Sequence, residues 1–279
     1  MRVIARPSIV PRAALPPPPD LGRRLARSPL LVAVDIDGTL APIAPTPEAA
    51  SVPPETRRIL TSLAVRPGVS LAFVTGRAAS DGARLAGIPT SWIIGNHGME
   101  CIDPAGAVRV NPRVEPYAAK IAEAHEQLGA LPGEVPGVIL ENKRWTLSVH
   151  YRLAARDNVP QVEAAVREIA TQLSLRMTLA KEIYELRPPV AINKGTAIIE
   201  LANLLGVFEG RSLRGSVLYA GDDSTDEDAF RLLRERSAES VTVHVGHGQY
   251  GTDTATAAEY LVPDPPALRE LLEWLLSVR

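Results

Sequence analysis

Leu30–Leu40, LLVAVDIDGTL, is the stretch whose reading decides the fold. Its first five residues are all apolar, the pattern of a short strand buried on both faces, as parallel sheets use; a strand with one wet face would alternate. Asp35, Asp37 and Gly38 follow at once. Burying unpaired charge costs several kcal/mol, so an apolar strand that ends in two carboxylates calls for a compensating cation. A hard divalent ion such as Mg2+ takes oxygen ligands and keeps waters, so one or two carboxylates plus a substrate phosphate would complete its shell. Gly38 lets the backbone turn sharply there.

Downstream, Pro53-Pro54-Glu55 opens a helix with Ile59, Leu60, Leu63 and Ala64 on one face. Strand Val69–Val74 ends in Thr75-Gly76-Arg77, and strand Trp92–Ile94 ends in Gly95-Asn96-His97-Gly98. From about Asn111 the pattern changes. A helical run (Tyr117, Ile121, Ala124, Leu128, Leu131), a hairpin of Val138–Leu140 with Trp145–Tyr151, a helix through Val159–Leu173, and strands near Leu175–Leu179 and Ile183–Leu186 make an α+β unit. The strand-helix alternation resumes at Asn193-Lys194-Gly195. Strand Val217–Ala220 leads into GDDSTDED, and strands Val241–Val245 and Tyr260–Val262 precede a last helix, Pro265–Leu276.

The fold class this predicts is α/β, a doubly wound parallel-sheet core over residues 29–111 and 191–279 with an inserted α+β cap domain at 112–190. Residues 1–28, with Pro7, Pro11 and the run Pro16–Pro19 and no apolar periodicity, read as an extended arm. The GxGxxG match at Gly246–Gly251 lies too near the end of the sequence to open a dinucleotide-binding βαβ unit, and reads as a core loop.

Composition bounds the rest. An apolar fraction of 46% over 279 residues supports a sizeable core, and a net charge of −2 gives no electrostatic footprint for nucleic acid or an anionic membrane. No run reaches the roughly 18 apolar residues of a membrane helix, and one cysteine, Cys101, suits a reducing compartment, so a cytoplasmic setting is expected. The sequence names no protein partner.

In a parallel sheet, ligands collect at the carboxyl ends of strands. Asp35/Asp37, Thr75 and Asp222/Asp226 each follow such an end, and Lys194 stands at a helix N-terminus that favours phosphate. The set fits phosphoryl transfer from a monoester: Asp35 as nucleophile, Asp37 as the acid and then the base, Lys194 and a metal offsetting the carboxylate–phosphate repulsion. That repulsion is about 4 kcal/mol per charge pair at about 4 Å and an effective dielectric near 20. The alternative reading of the acidic run Asp222–Asp228 is a solvated helix start, which negative residues favour, but its GDD onset after an apolar strand argues otherwise.

DIDGTL after an apolar strand resembles the first motif of the haloacid dehalogenase superfamily. With GNHGME, LENKRWTLSVHYR, YELRP, NKG and GDDSTDEDAF, the chain resembles the trehalose-6-phosphate phosphatase family across about residues 31–275. The resemblance implies a Mg2+-dependent phosphatase whose small-molecule substrate is trehalose 6-phosphate. Thr75 with Gly76 would bind the phosphoryl group and Lys194 neutralise it. Asp35, the Asp37 carbonyl and Asp222 would hold the metal, with Asp223 or Asp226 on its waters. Glu141, Lys143 and Glu185 would grip the distal sugar, and Arg77 and His97 would lie on the substrate side. By their residues alone, Glu141, Lys143 and Glu185 read as a charged hairpin tip, and His97 as a structural hydrogen bonder; His150 and Arg152 take no role. The rivals are a phosphatase of another sugar phosphate, of sucrose or glucosylglycerate type, and a non-catalytic sugar-phosphate sensor.

Overall fold

The computed structural model describes residues 11–44, 49–180, 182–209, 212–247 and 255–279. It divides into two compact units, Met1–Val108 with Asn193–Arg279, and Arg109–Ile192. The chain opens with β1 (Arg12–Ala13), α1 (Pro19–Leu25), β2 (Leu30–Val34), α2 (Pro54–Ala64), β3 (Val69–Val74), α3 (Ala79–Ala86), β4 (Trp92–Gly95), β5 (Glu100–Ile102) and β6 (Val108–Val110). It continues through α4 (Ala118–Gln127), α5 (Leu131–Glu134), β7 (Ile139–Asn142), β8 (Leu147–His150), α6 (Val159–Gln172), β9 (Arg176–Ala180) and β10 (Ile183–Arg187). It closes with α7 (Lys194–Leu204), β11 (Phe208–Glu209), β12 (Ser212–Leu213), β13 (Ser216–Gly221), α8 (Ser224–Arg236), β14 (Val241–Val245), β15 (Tyr260–Val262) and α9 (Pro265–Ser277).

Among the described residues a nine-stranded sheet runs in the order β1-β15-β14-β13-β2-β3-β4-β5-β6. Neighbours from β1 to β4 are parallel, and β5 turns antiparallel against β4. The all-apolar β2 has its physical reason in the layers on either side. Leu30, Val32 and Val34 pack with Leu25, Leu60, Leu85 and Leu271 from α1, α2, α3 and α9. Leu31 and Ala33 pack with Ile198 and Phe230 from α7 and α8. Helices on both faces make the sheet doubly wound, as the sequence predicts. β2 and β13 pair as far as Val34 with Ala220, and Asp35 N–H donates to the Ala220 carbonyl at 2.9 Å, so Asp35 and Asp222 leave adjacent strands side by side.

The smaller unit is a four-stranded antiparallel sheet, β7-β8-β10-β9. Leu147, Val149, Tyr184 and Leu186 point to one face and pack under Ile121 and Ala124 of α4 and Val162 and Val166 of α6. Period-two alternation sends Glu141, Ser148, Glu185 and Thr178, which stand in cross-strand register, to the other face.

The described part of residues 1–28 is not an extended arm. β1 pairs with β15, and α1 begins on Pro19, a residue suited to a first helical turn, and sinks Leu21 and Leu25 fully into the core. Arg24, 4% exposed, donates to both Glu259 oxygens at 2.9 and 2.8 Å and to the Ser240 carbonyl. Two leucines in a seven-residue helix are too few to show as periodicity. Residues 1–10, and the glycine-loop positions 248–251, lie outside the described residues. No helix among those described is long and apolar enough to cross a membrane.

Candidate active site

Beyond β2 the chain folds back on itself. Leu40 and Ala41 N–H both donate to the Ile36 carbonyl at 2.9 Å, and Gly38 N–H to Ala41 at 2.7 Å. Gly38 holds φ +82°, and a Cβ there would run into the Asp222 carboxylate, so both backbone and space demand glycine. Thr39 Oγ1 donates to Asp222 Oδ1 at 3.0 Å. This turn ties the end of β2 to the end of β13.

The cation comes from α7. Asn193 caps it in a reciprocal box with Thr196, which fixes Lys194 as the first helical residue. Its ammonium, 2% exposed, donates to Asp35 Oδ1 at 2.8 Å and Asp226 Oδ1 at 2.7 Å. The acidic run proves to be a helix start and part of this cluster at once. Asp223 caps α8 and accepts from the Thr225 and Asp226 N–H groups. Asp226 Oδ2 accepts from Asp222 and Asp223 N–H at 2.9 and 3.0 Å, while its Oδ1 accepts from Lys194 and from the Tyr219 hydroxyl.

Carboxylate oxygens of Asp35, Asp222 and Asp226 lie within 4.8 Å of one another. Burial pushes the Asp35 carboxyl well above its ordinary range, against the pull of Lys194. Burial, then Asp226 and Asp223, push Asp222 up to about 7. Asp223 moves the other way: burial opposes ionisation, but Lys194 and the Thr225 hydrogen bonds outweigh it and hold the carboxyl at about 2. For Lys194, burial is outweighed by Asp226 and Asp35, which keep the ammonium charged. With Asp35, Asp222 and Asp226 all ionised, one ammonium would leave the cluster with surplus negative charge. An all-oxygen donor set with that surplus fits a hard divalent cation. Asp226 already accepts from its four donors, which makes it the group that orients Lys194 and the β13–α8 turn.

The neighbouring strand ends add further groups. Thr75 N–H donates to the Ile94 carbonyl at 2.8 Å, and its hydroxyl accepts from Arg77 N–H at 3.1 Å. The Arg77 guanidinium grips both oxygens of Asp37 at 2.7 Å, a planar fork on a carboxylate. His97, at φ 56°, donates its N–H to the Thr75 carbonyl at 3.0 Å, and its ring leaves no room for a Cβ on Gly76. Asp35, Asp37, Thr75, Gly76, Arg77, His97, Lys194, Asp222, Asp223 and Asp226 thus belong to loops and helix starts of the larger unit. Glu141, Lys143 and Glu185 belong to the smaller one, where Lys143 Nζ lies 3.9 Å from Glu141 and 3.4 Å from Glu185.

Sequence reasoning missed two partners. The resemblance places Arg77 on the substrate side, and the structure puts its guanidinium on Asp37. His247 Nε2 lies 3.0 Å from Asp222 Oδ2; it follows the end of β14, the strand beside β13, and that strand-end position is the signal that could have found it.

A family model described as trehalose-phosphatase matches residues 33–266. A trehalose-phosphate phosphatase of Mycobacterium avium (strain 104) is 37% identical over 243 residues, 86% of this chain and 60% of that protein. The chain thus spans about three-fifths of that relative's length. The C-terminal domain of Candida albicans trehalose-6-phosphate phosphatase shares the fold with a TM-score of 0.79 at 24% identity, covering 98% of this chain and 99% of that one. A haloacid dehalogenase-like hydrolase from Bacteroides thetaiotaomicron does so with a TM-score of 0.61 at 15% identity, covering 88% and 98%.

Proposed function

The chain belongs to the trehalose-phosphatase family, and from that premise we propose that it hydrolyses trehalose 6-phosphate to trehalose and inorganic phosphate, with Mg2+ held by Asp35, Asp222 and the Asp37 carbonyl. The observation that carries this reading is the buried Lys194 bridging Asp35 and Asp226 beside Asp222. Bound there, Mg2+ would supply charge that keeps Asp35 ionised and offsets its repulsion from the phosphoryl oxygens.

The remaining steps fall to side chains. An Asp35 oxygen attacks phosphorus in line as the bond from phosphorus to the sugar oxygen breaks, and the Asp37 carboxyl gives that oxygen its proton. Asp37 then takes a proton from water, which attacks the phosphorus of the aspartyl phosphate and releases Asp35 as the carboxylate. Asp37, 42% exposed at its side chain, is accessible to both leaving group and water, and Arg77 sets its orientation. The Thr75 hydroxyl and Gly76 contact the phosphoryl oxygens, and Lys194 offsets their charge. Asp223 and Asp226 hold the metal's surroundings. Glu141, Lys143 and Glu185 select the sugar, and His97 supports the Gly76 turn. The lone cysteine and the charge balance suit a cytoplasmic enzyme.

Phosphate release from a panel of sugar phosphates, with and without Mg2+, tests class, metal and substrate together. The expected result is Mg2+-dependent release greatest on trehalose 6-phosphate. Faster release from sucrose phosphate, or from none, would overturn the substrate or the enzyme reading in turn.

A further inference from the structure

We propose that His150 is a positioning residue for sugar selection, acting through Glu141; this rests on the reading that Glu141 recognises the sugar. The two faces of the smaller sheet are chemically opposite. Leu147 and Val149 of β8 point into the helix-backed core, whereas Ser148 and His150 alternate to the polar face with Glu141 and Glu185. His150 stands opposite Ile139 in register, one diagonal step from Glu141, and its Nε2 lies 2.8 Å from Glu141 Oε2. A carboxylate oxygen only accepts, so Nε2 carries the proton and donates.

Lys143 Nζ approaches the same oxygen at 3.9 Å. Glu141 Oε2 thus accepts from His150 before any ligand arrives, with the Lys143 ammonium near it as a charge and not as a hydrogen-bond donor. A glutamate side chain otherwise loses rotamer freedom when it is fixed by a ligand. A hydrogen bond to a charged group is strong enough to hold it beforehand. The His150 side chain is 17% exposed and turned to the polar face, where its ring nitrogen meets Glu141.

The test is steady-state kinetics of the full chain with trehalose 6-phosphate and p-nitrophenyl phosphate, for His150→Ala, His150→Gln, Glu141→Gln and the double variant His150→Ala/Glu141→Gln. The expected result for His150→Ala is a fall of about tenfold in the kcat/KM ratio of the first substrate over the second, expressed mainly in KM. His150→Gln, which keeps a donor, recovers most of it, and the double variant is no worse than Glu141→Gln alone. An unchanged ratio in His150→Ala while Glu141→Gln lowers it would overturn the proposal and leave the sugar reading standing. Additive losses would overturn it too, because His150 would then act apart from Glu141. An unchanged ratio in Glu141→Gln would remove the sugar reading and the proposal with it.

Discussion

Replacing Lys194 by methionine keeps the length of the side chain and removes its charge, leaving Asp35 and Asp226 buried without their shared ammonium. Lys194 is 2% exposed and its two contacts, 2.8 and 2.7 Å, are within charge-assisted hydrogen-bond range. Breaking a buried pair from one side costs about 3–5 kcal/mol, which for a unit of this size lowers Tm by roughly 10 °C. The loss has a pH signature. Asp35 and Asp226 already sit above the ordinary carboxylate range, chiefly through burial, and losing Lys194 raises them further. A carboxyl raised in the folded state takes up protons on folding, so stability returns as pH falls through its folded pKa. The Lys194 contribution in the parent is complete below the ordinary lysine pKa and is lost only as pH rises through its higher folded value, outside this window. Thermal unfolding without added metal, followed at pH 8 and at pH 5, should therefore show a large deficit that narrows on acidification. A variant within about 2 °C of the parent at both pH values would refute the buried-cluster argument.

Leu25→Ala should destabilise by about 2–5 kcal/mol in urea unfolding, because Leu25 is fully buried; no change would mean that α1 does not dock. Lys143→Ala should lower the preference for trehalose 6-phosphate over p-nitrophenyl phosphate about tenfold, and equal loss on both substrates would remove Lys143 from sugar selection. Millimolar Mg2+ should raise Tm in the parent and not in Asp222→Asn, since an ion that binds only the folded state stabilises it; an equal rise in the variant would place the ion elsewhere.

Much of the core was legible because its physics is local. β2 is apolar throughout, and β13 over Val217–Ala220, since helices cover both faces, and the capping Asn193 and Asp223 mark helix starts within a few residues of the chemistry. What the sequence concealed is pairing between distant segments. β1 is two residues long and exists only by pairing with β15, and α1 is held by Arg24 reaching Glu259. Arg77 on Asp37 and His247 on Asp222 likewise join different strand ends. The proposal that Glu141, Lys143 and Glu185 select the sugar comes only from resemblance, since nothing in their spacing distinguishes a binding face from a solvated hairpin.

Whether Asp35 is the phosphoryl acceptor in the cluster where Lys194, Asp222 and Asp226 converge can be read by acid-quenching the protein during turnover with trehalose 6-phosphate and Mg2+, reducing it with borohydride and mapping the product by mass spectrometry. An aspartyl phosphate at position 35 reduces to homoserine there, and the signal should vanish, with turnover, in Asp35→Asn. Homoserine at another aspartate, or full turnover by Asp35→Asn, would contradict that assignment.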